Sequence, residues 1–347
     1  MPSKTILVDG NSVGYAAHHA TKLRSGDLET QAIFGFIRSM RDQFWRFPTA
    51  GLMVLWDGRA DWRYELHPDY KSNRDDTPEK RRERDAYKEQ RPYIARALQC
   101  LGVTQMTAYD READDLAGLM TGRLTSAGQE VDLMTGDEDW LQLLRKGVTW
   151  RDPRNHDKVI TIDNLLDMTG YATPYAFLEG KALQGDSSDV ISGVGGIGET
   201  GAPLFLAEHG SIRRFWQRCE AGEIVPANKA QMRLWKGRSP KTRDEWIADF
   251  SYERDPAHDD EKHRKAEARA LKKHTDAWPG QGRDIFERNL RLMQLLRPMP
   301  LDSSKLEVNK GKFDREAFTD FCAELGFSSV IKTMDNFLLP FERRHTK

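Results

Sequence analysis

Three short apolar runs, at residues 5–8, 52–55 and 131–134, have the length and unbroken hydrophobicity expected of buried parallel strands. Each is followed within three residues by an acid: Asp9, Asp57 and Asp137. In an open α/β sheet the ligand site lies beyond the carboxyl ends of the strands, so these three acids should meet at one edge. After Glu112, Leu116, Leu119, Met120 and Leu124 recur at helical spacing, which puts the acids of the EADD stretch on the first turn of a helix. Beyond about residue 160 the pattern becomes helical, with helices expected over residues 175–184 and 203–207 and an amphipathic return at Ile285, Leu290, Met293 and Leu296.

Two stretches break the pattern. Residues 59–96 hold few aliphatic side chains, and from Lys71 to Arg91 there are eight Lys or Arg against six Asp or Glu. Such a segment buries little and should project as a loop or helical lid. Residues 226–283 read as an insertion that opens with six basic residues, no acids and Trp235 within PANKAQMRLWKGRSPKTR. This basic patch is a candidate contact for a nucleic-acid backbone. The chain shows no internal repeat, and at 347 residues it has room for two domains.

No apolar run approaches the roughly 18 residues of a membrane span, and the apolar stretch after MPSK is too brief for a secretory signal. The three cysteines, Cys100, Cys219 and Cys322, are widely spaced and form no CxxC pair, which argues against a disulfide framework and a zinc site and for a reducing, cytoplasmic setting. The net charge of -1 hides an asymmetry. If nine of the 54 acids are set aside as metal ligands, 45 remain against 53 Lys and Arg, leaving a surface with a basic excess of about eight.

Those nine are Asp9, Asp57, Glu112, Asp114, Asp115, Asp137, Asp139, Asp186 and Asp189. Acids in a first helical turn are favoured by the macrodipole in any protein, so EADD alone carries little weight. The set carries more. At ~4 Å each like-charged pair costs roughly 1–4 kcal/mol at effective dielectrics between water and a protein surface, so converging carboxylates need a counter-ion. Hard oxygen ligands select Mg²⁺ or Mn²⁺, and phosphoryl transfer is the chemistry that uses two such ions.

The GxGxxG spacing at Gly193, Gly195 and Gly198 invites a dinucleotide-binding reading, but GDSSD rather than a buried strand precedes it. A better reading is a glycine turn between two helices, in which Gly193, Gly195, Gly196 and Gly198 let the backbone approach a phosphate. After the second strand's acid, Tyr70, Lys71 and Arg74 are candidates to act on a bound phosphate: the two cations by stabilising transition-state charge, and Tyr70 by stacking on a terminal base. His18 and His19 are assigned no ligand role.

The order VDGN, WDG, HPDYKSNRD, EADD, GDEDWLQLL, GDSSDVISGVGGIG resembles that of the 5′ nucleases: flap endonucleases, bacteriophage 5′→3′ exonucleases, RNase H-type primer removers and the 5′ nuclease domain of bacterial DNA polymerase I. The resemblance runs from about Lys4 to about Gly210, with a weaker echo from Phe286. It implies an α/β fold, a PIN-like Rossmann-type sheet over residues 1–165 with a helical arch at about 59–96. A mostly helical DNA-binding region with a helix–turn–helix-like element should follow over 166–347, carrying the insertion. By the same resemblance Asp9, Asp57, Glu112 and Asp114 hold one metal. Asp115, Asp137, Asp139 and Asp186 hold a second, with Asp114 shared and Asp189 in an outer position. Two or three Mg²⁺ or Mn²⁺ sites are implied, and a K⁺ ion at the glycine turn. Lys71 and Arg74 match basic residues at the base of the arch, and Lys80, Arg81, Arg82 and Arg84 lie within it.

The implied activity is hydrolysis of DNA near 5′ ends, as a 5′→3′ exonuclease, a flap endonuclease or both, with DNA flaps and duplex junctions as partners and the chain a monomer. RNase H-like primer removal from RNA–DNA hybrids, a PIN-type ribonuclease and a non-catalytic DNA-binding module are the alternatives. The length, with no polymerase appended, and the insertion point to a phage-type enzyme acting in the host-cell cytoplasm. Two positions depart from the resemblance: Glu199 and Thr200 follow the glycine turn where a basic residue is usual, and Tyr15, Ala16 and Ala17 stand where phage relatives often carry an Arg. The basic insertion is expected to compensate.

Overall fold

The computed structural model describes residues 3–75, 77–155, 157–236, 282–296 and 302–345. The chain divides into two compact units, one of Met1–Trp62, Arg74–Asn164 and Leu295–Lys347, the other of Arg63–Asn73 and Leu165–Gln294.

The first unit is built on a sheet. Its elements run β1 (Lys4–Asp9), α1 (Gly10–Ala20), a small hairpin of β2 (Arg24–Ser25) and β3 (Leu28–Glu29), α2 (Gln31–Arg46), β4 (Gly51–Trp56), and then α3 (Asp61–Leu66), which crosses the division. They continue with α4 (Pro78–Cys100), β5 (Thr104–Ala108), α5 (Ala113–Ser126), β6 (Glu130–Met134), β7 (Val148–Arg151) and β8 (Val159–Thr161). The expected strands are all present, each slightly longer than its apolar run. β5, β4, β1, β6 and β7 pair in parallel in that order. Their central members are buried on both faces, with Leu7, Val8, Val54, Leu55 and Leu133 fully enclosed, which is why these strands read as continuous apolar runs. Val8 lies opposite both Val54 and Met134, so the carboxyl ends of β1, β4 and β6 finish level.

One face of the sheet carries the main core, in which Phe36, Met40 and Phe44 of α2 and Ile94 and Leu98 of α4 pack with Val54 and Trp56. Gly10 is obligatory there: a Cβ would lie 2.4 Å from the Trp56 ring.

The second unit comprises α6 (Leu165–Thr169), α7 (Pro174–Gln184), a two-residue hairpin of β9 (Gly185–Asp186) and β10 (Ile191–Ser192), then α8 (Gly201–His209), α9 (Ile212–Glu220), α10 (Lys229–Lys236) and α11 (Gly282–Met293). Asn289 of α11, fully buried, donates its amide to the carbonyls of Ala182 (2.9 Å) and Ser192 (2.8 Å), tying α7 to the hairpin. Trp216 of α9 donates to Leu234 O of α10 at 2.9 Å.

Two expectations change. The helical region expected over 166–347 ends at residue 294. After it the chain returns to the first unit, where β11 (Leu306–Asn309) pairs antiparallel with β5 and closes that edge. Three further helices, α12 (Arg315–Glu324), α13 (Ser328–Lys332) and α14 (Met334–His345), add Phe318, Phe321, Leu338 and Phe341 to the main core. The projecting segment expected over 59–96 is also shorter. Tyr87, Gln90, Ile94, Ala97 and Leu98 of α4 are buried, so from Tyr87 onward that helix packs one face against the core and leaves the other exposed, and only its first turns lack a buried face. The basic insertion is described as far as Lys236; residues 237–281, including Arg238, Lys241 and Arg243, lie outside the described residues.

Glu179 of α7 is buried and accepts the Ile212 amide at the start of α9 (3.3 Å). Burial pushes its carboxyl up to about 7, opposed only in part by that hydrogen bond. Between the ordinary value of 4.5 and about 7 the folded state holds the extra proton, so stability is greatest at the acid end of this window and is lost as pH rises through about 7. Glu179→Gln is expected to remove on the order of 2 kcal/mol of this pH-dependent loss, read from urea unfolding midpoints at intervals from pH 5 to 8.

Candidate active site

The level strand ends of the first unit do what the sequence pattern suggested. Asp9 closes β1 and caps α1, its Oδ1 accepting the Ser12 amide at 2.9 Å and its Oδ2 the Thr135 hydroxyl at 2.8 Å. Asp57 follows β4. Its Oδ1 accepts the Ala113 amide (2.7 Å) at the start of α5, and its Oδ2 the Asn11 side-chain amide (2.6 Å). Glu112 is the residue before α5 and is buried, and its own amide donates to Asp115 Oδ2 at 3.1 Å in a capping box. Asp114, in the first turn of α5, accepts the Trp140 indole N–H at 2.7 Å. Asp137 caps a short 3₁₀ helix (Glu138–Leu143) by accepting the Asp139 amide at 2.8 Å, and its own amide donates to the Thr135 hydroxyl oxygen at 2.9 Å.

These carboxyls feel one another. Burial first, then the neighbouring Asp57, pushes Asp9 up to about 6, against the lowering effect of its hydrogen bonds. Asp114 is raised well above the usual carboxylate range by burial and then by Asp137, Asp57, Asp9 and Glu112. Among the described residues, no three His, Cys, Asp or Glu side chains are drawn together as a ready metal cage; the acidic oxygens are turned instead toward amide and hydroxyl donors. The donor set is nonetheless that of a hard divalent cation: oxygen only, carboxylate-rich and crowded enough that two members resist ionisation.

Asp186 and Asp189 belong to the second unit, Asp186 at the end of β9 and Asp189 in the hairpin turn that follows. Burial opposes ionisation of Asp186, but the Ser188 hydroxyl (2.6 Å) and amide (2.8 Å) and the Lys181 ammonium (3.7 Å) outweigh it and hold the carboxyl below its usual value. The HPDYKSN stretch is bonded to this turn. His67 Nε2 donates to Val190 O (2.8 Å), Asn73 Nδ2 to Ser187 O (3.1 Å) and the Lys71 amide to Asp189 O (3.0 Å), and Lys71 Nζ stands 3.7 Å from the Asp189 carboxylate. Lys71 and Val190 both have φ near +60°, an uncommon value that is a marked outlier for β-branched Val190.

Arg74, in the first unit, is exposed, as are Lys80, Arg81 and Arg82 at the start of α4, with Arg84 half-buried. Tyr70 does not meet its expectation. Its ring is 4% exposed and edge-on to Tyr64, with Lys71 Nζ 4.7 Å from its centroid, so it is a packing residue with no face open to a base. The glycine turn follows the small hairpin rather than joining two helices directly. Gly195 and Gly196 have φ of +84° and +81°, which favours glycine. A Cβ on Gly193 would strike the Gln184 carbonyl oxygen at 2.2 Å, and one on Gly196 would meet Ala230 Cβ at 2.9 Å. Gly198 is exposed with open space around it.

Sequence reasoning passed over the uncharged partners Thr135, Trp140 and Ser12, and Arg91, whose guanidinium donates to Asp57 O at 3.3 Å and lies over the Trp56 ring. The signal available was position alone: Thr135 and Trp140 flank the GDED motif, and Ser12 follows VDGN.

A mostly parallel sheet with acids gathered at its carboxyl edge is the arrangement of a PIN-like α/β fold. Residues 4–170, just under half of the chain, match the 5′-3′ exonuclease N-terminal, resolvase-like domain. DNA polymerase I of Streptococcus pneumoniae is 30% identical over 233 residues, covering 62% of this chain and 25% of that protein. The chain thus spans about a quarter of the length of this relative. Among solved structures, the bacteriophage T5 5′-exonuclease with bound divalent metal ions (zinc) superposes with a TM-score of 0.62 at 18% identity, covering 97% of this chain and 98% of that one. The T5 flap endonuclease in a pseudo-enzyme–product complex with DNA and metal ions gives 0.60 at 18% identity, covering 98% and 99%. These superpositions establish the shared fold.

The Thr135 hydroxyl donates to Asp9 and so opposes the rise in its pKa. Thr135→Val should therefore drive the Asp9 carboxyl above about 6, while Thr135→Ser leaves it unchanged; carboxyl-carbon NMR titration of the metal-free protein reads the difference.

Proposed function

We propose that this chain is a divalent-metal-dependent phosphodiesterase that cuts DNA near 5′ ends, as a 5′→3′ exonuclease, a flap endonuclease or both. The observation that carries this reading is the mutual electrostatic strain of Asp9, Asp57, Glu112, Asp114 and Asp137 at one sheet edge. A divalent cation relieves that strain. Asp9, Asp57, Glu112 and Asp114 would hold one, and Asp115, Asp137 and Asp139 a second, with Mg²⁺ or Mn²⁺ matching the oxygen donors. When bound, such ions neutralise the phosphodiester's charge and lower the pKa of an attacking water.

The protein's own residues supply the rest. Thr135, Asn11 and the Ala113 amide hold the carboxylates in the ionised orientation a cation needs. Water oxygen attacks phosphorus, the bond from phosphorus to the 3′ oxygen breaks, and the water's proton leaves with that oxygen, giving a 5′-phosphate and a 3′-hydroxyl. Lys80, Arg81, Arg82 and Arg84 offer a cationic helix start to the polyanion, and Arg74 an exposed guanidinium. Within the second unit, the turn of Gly193, Gly195, Gly196 and Gly198 abuts Ala230, which places the exposed Lys229 beside it. That lysine offers the cation that Glu199 and Thr200 do not. The turn's carbonyls are candidates for K⁺. Lys71 and Asp186 take their roles through the hairpin turn to which both are bonded.

The test is a panel of 5′- and 3′-labelled flap, gapped, blunt and RNA–DNA hybrid substrates with Mg²⁺, Mn²⁺ or EDTA. Cleavage of the DNA flap near its 5′ end, lost in EDTA, is expected; cleavage confined to the hybrid would move the assignment to primer RNA, and metal-independent cleavage would overturn it. Asp137→Asn is expected to lower kcat by roughly 10²- to 10³-fold while DNA affinity in Ca²⁺ is retained. Asp186→Asn is the corresponding test for the second unit.

A further inference from the structure

We propose that Trp140 is a positioning residue for Asp114, its indole N–H fixing one carboxylate oxygen so that the other is presented to a cation. Trp140 is fully buried, and its Nε1 lies 2.7 Å from Asp114 Oδ1. That N–H is the one hydrogen-bond donor Asp114 receives among the described residues. The carboxyl it holds is the most crowded of the cluster, facing Asp137, Asp57, Asp9 and Glu112. A leucine, methionine or phenylalanine here would be apolar but smaller and without a donor, so the indole supplies both the volume and an N–H that no aliphatic or phenyl side chain brings. The N–H is the group that addresses the carboxylate.

The bond also spans two motifs. Asp114 stands on the first turn of α5, while Trp140 stands on the 3₁₀ helix immediately after Asp139 and one turn after Asp137. Fixing Asp114 to Trp140 therefore sets the first turn of α5 against the segment that carries the other two acids. Thr135 does the equivalent for Asp9 and Asp137 from the strand side, donating to the one and accepting the amide of the other. Polar groups that orient metal-ligating carboxylates typically govern affinity by 10–100-fold.

The inference rests on the metal-dependent reading above, and the experiment separates the two. Full-length wild type, Trp140→Phe and Trp140→benzothienylalanine, in which sulfur replaces the N–H within the same ring outline, are titrated with Mn²⁺ by calorimetry in the absence of DNA. Thermal unfolding, kcat and KM for a DNA flap are measured alongside. Mn²⁺ affinity is expected to fall by about 10- to 100-fold in both variants. At fixed sub-saturating Mn²⁺, kcat should fall while KM for DNA stays unchanged, and the analogue should keep the wild-type Tm. A purely structural role would lower Tm and leave Mn²⁺ affinity alone. If Trp140→Phe does not fold, the analogue decides. Wild type that binds Mn²⁺ with the analogue within about twofold of it overturns the inference alone. Wild type that neither binds Mn²⁺ nor cleaves overturns the metal-dependent reading and this inference with it.

Discussion

Carboxylates crowded at one end of a sheet repel, and the first unit is organised around containing that repulsion. A pair at ~4 Å costs roughly 1–4 kcal/mol even with substantial screening. Each acid is met by a donor: the Ser12 amide and Thr135 hydroxyl for Asp9, Asn11 and the Ala113 amide for Asp57, and the Trp140 indole for Asp114. Helices α1 and α5 both begin beside the cluster, so the positive ends of their dipoles face it. The residual strain survives as the raised pKa values of Asp9 and Asp114, and a bound cation would relieve it.

The second unit solves a different problem, holding irregular backbone in place. The hairpin turn after α7 is bonded by His67, Lys71 and Asn73 from a segment more than a hundred residues away in sequence. Val190, with φ near +60°, is kept there in part because its carbonyl accepts His67. The glycine turn that follows depends on Gly195 and Gly196 for its backbone and on Gly193 for close passage of the Gln184 carbonyl. Elsewhere in this unit, desolvation favours the neutral forms of Glu179 and His209.

Local chemistry was legible where it repeats a local rule. The strands at residues 5–8, 52–55 and 131–134 appear because a strand buried on both faces has no room for alternation. The acids follow them because ligand sites sit beyond strand ends. Exposure was not legible in the same way. Tyr70 sits in a charged stretch that suggested an open loop, yet its ring packs edge-on against Tyr64, six residues earlier. The lower half of α4 carries enough charge to look solvated, but Tyr87, Ile94 and Leu98 recur on one face and bury it.

Read alone, the sequence carries the local chemistry of this protein: which acids follow which strands, which turn needs glycine, and an order of motifs that resembles that of the 5′ nucleases. Those features depend on residues close together in the chain, where periodicity and turn chemistry act. Tertiary structure alone decided that residues 306–309 return to pair with β5, that Thr135 reaches Asp9, and that Trp140 reaches Asp114. Each of these is a bond whose donor and acceptor are brought together by strand register or core packing. Nothing in the local pattern of either partner announces the other.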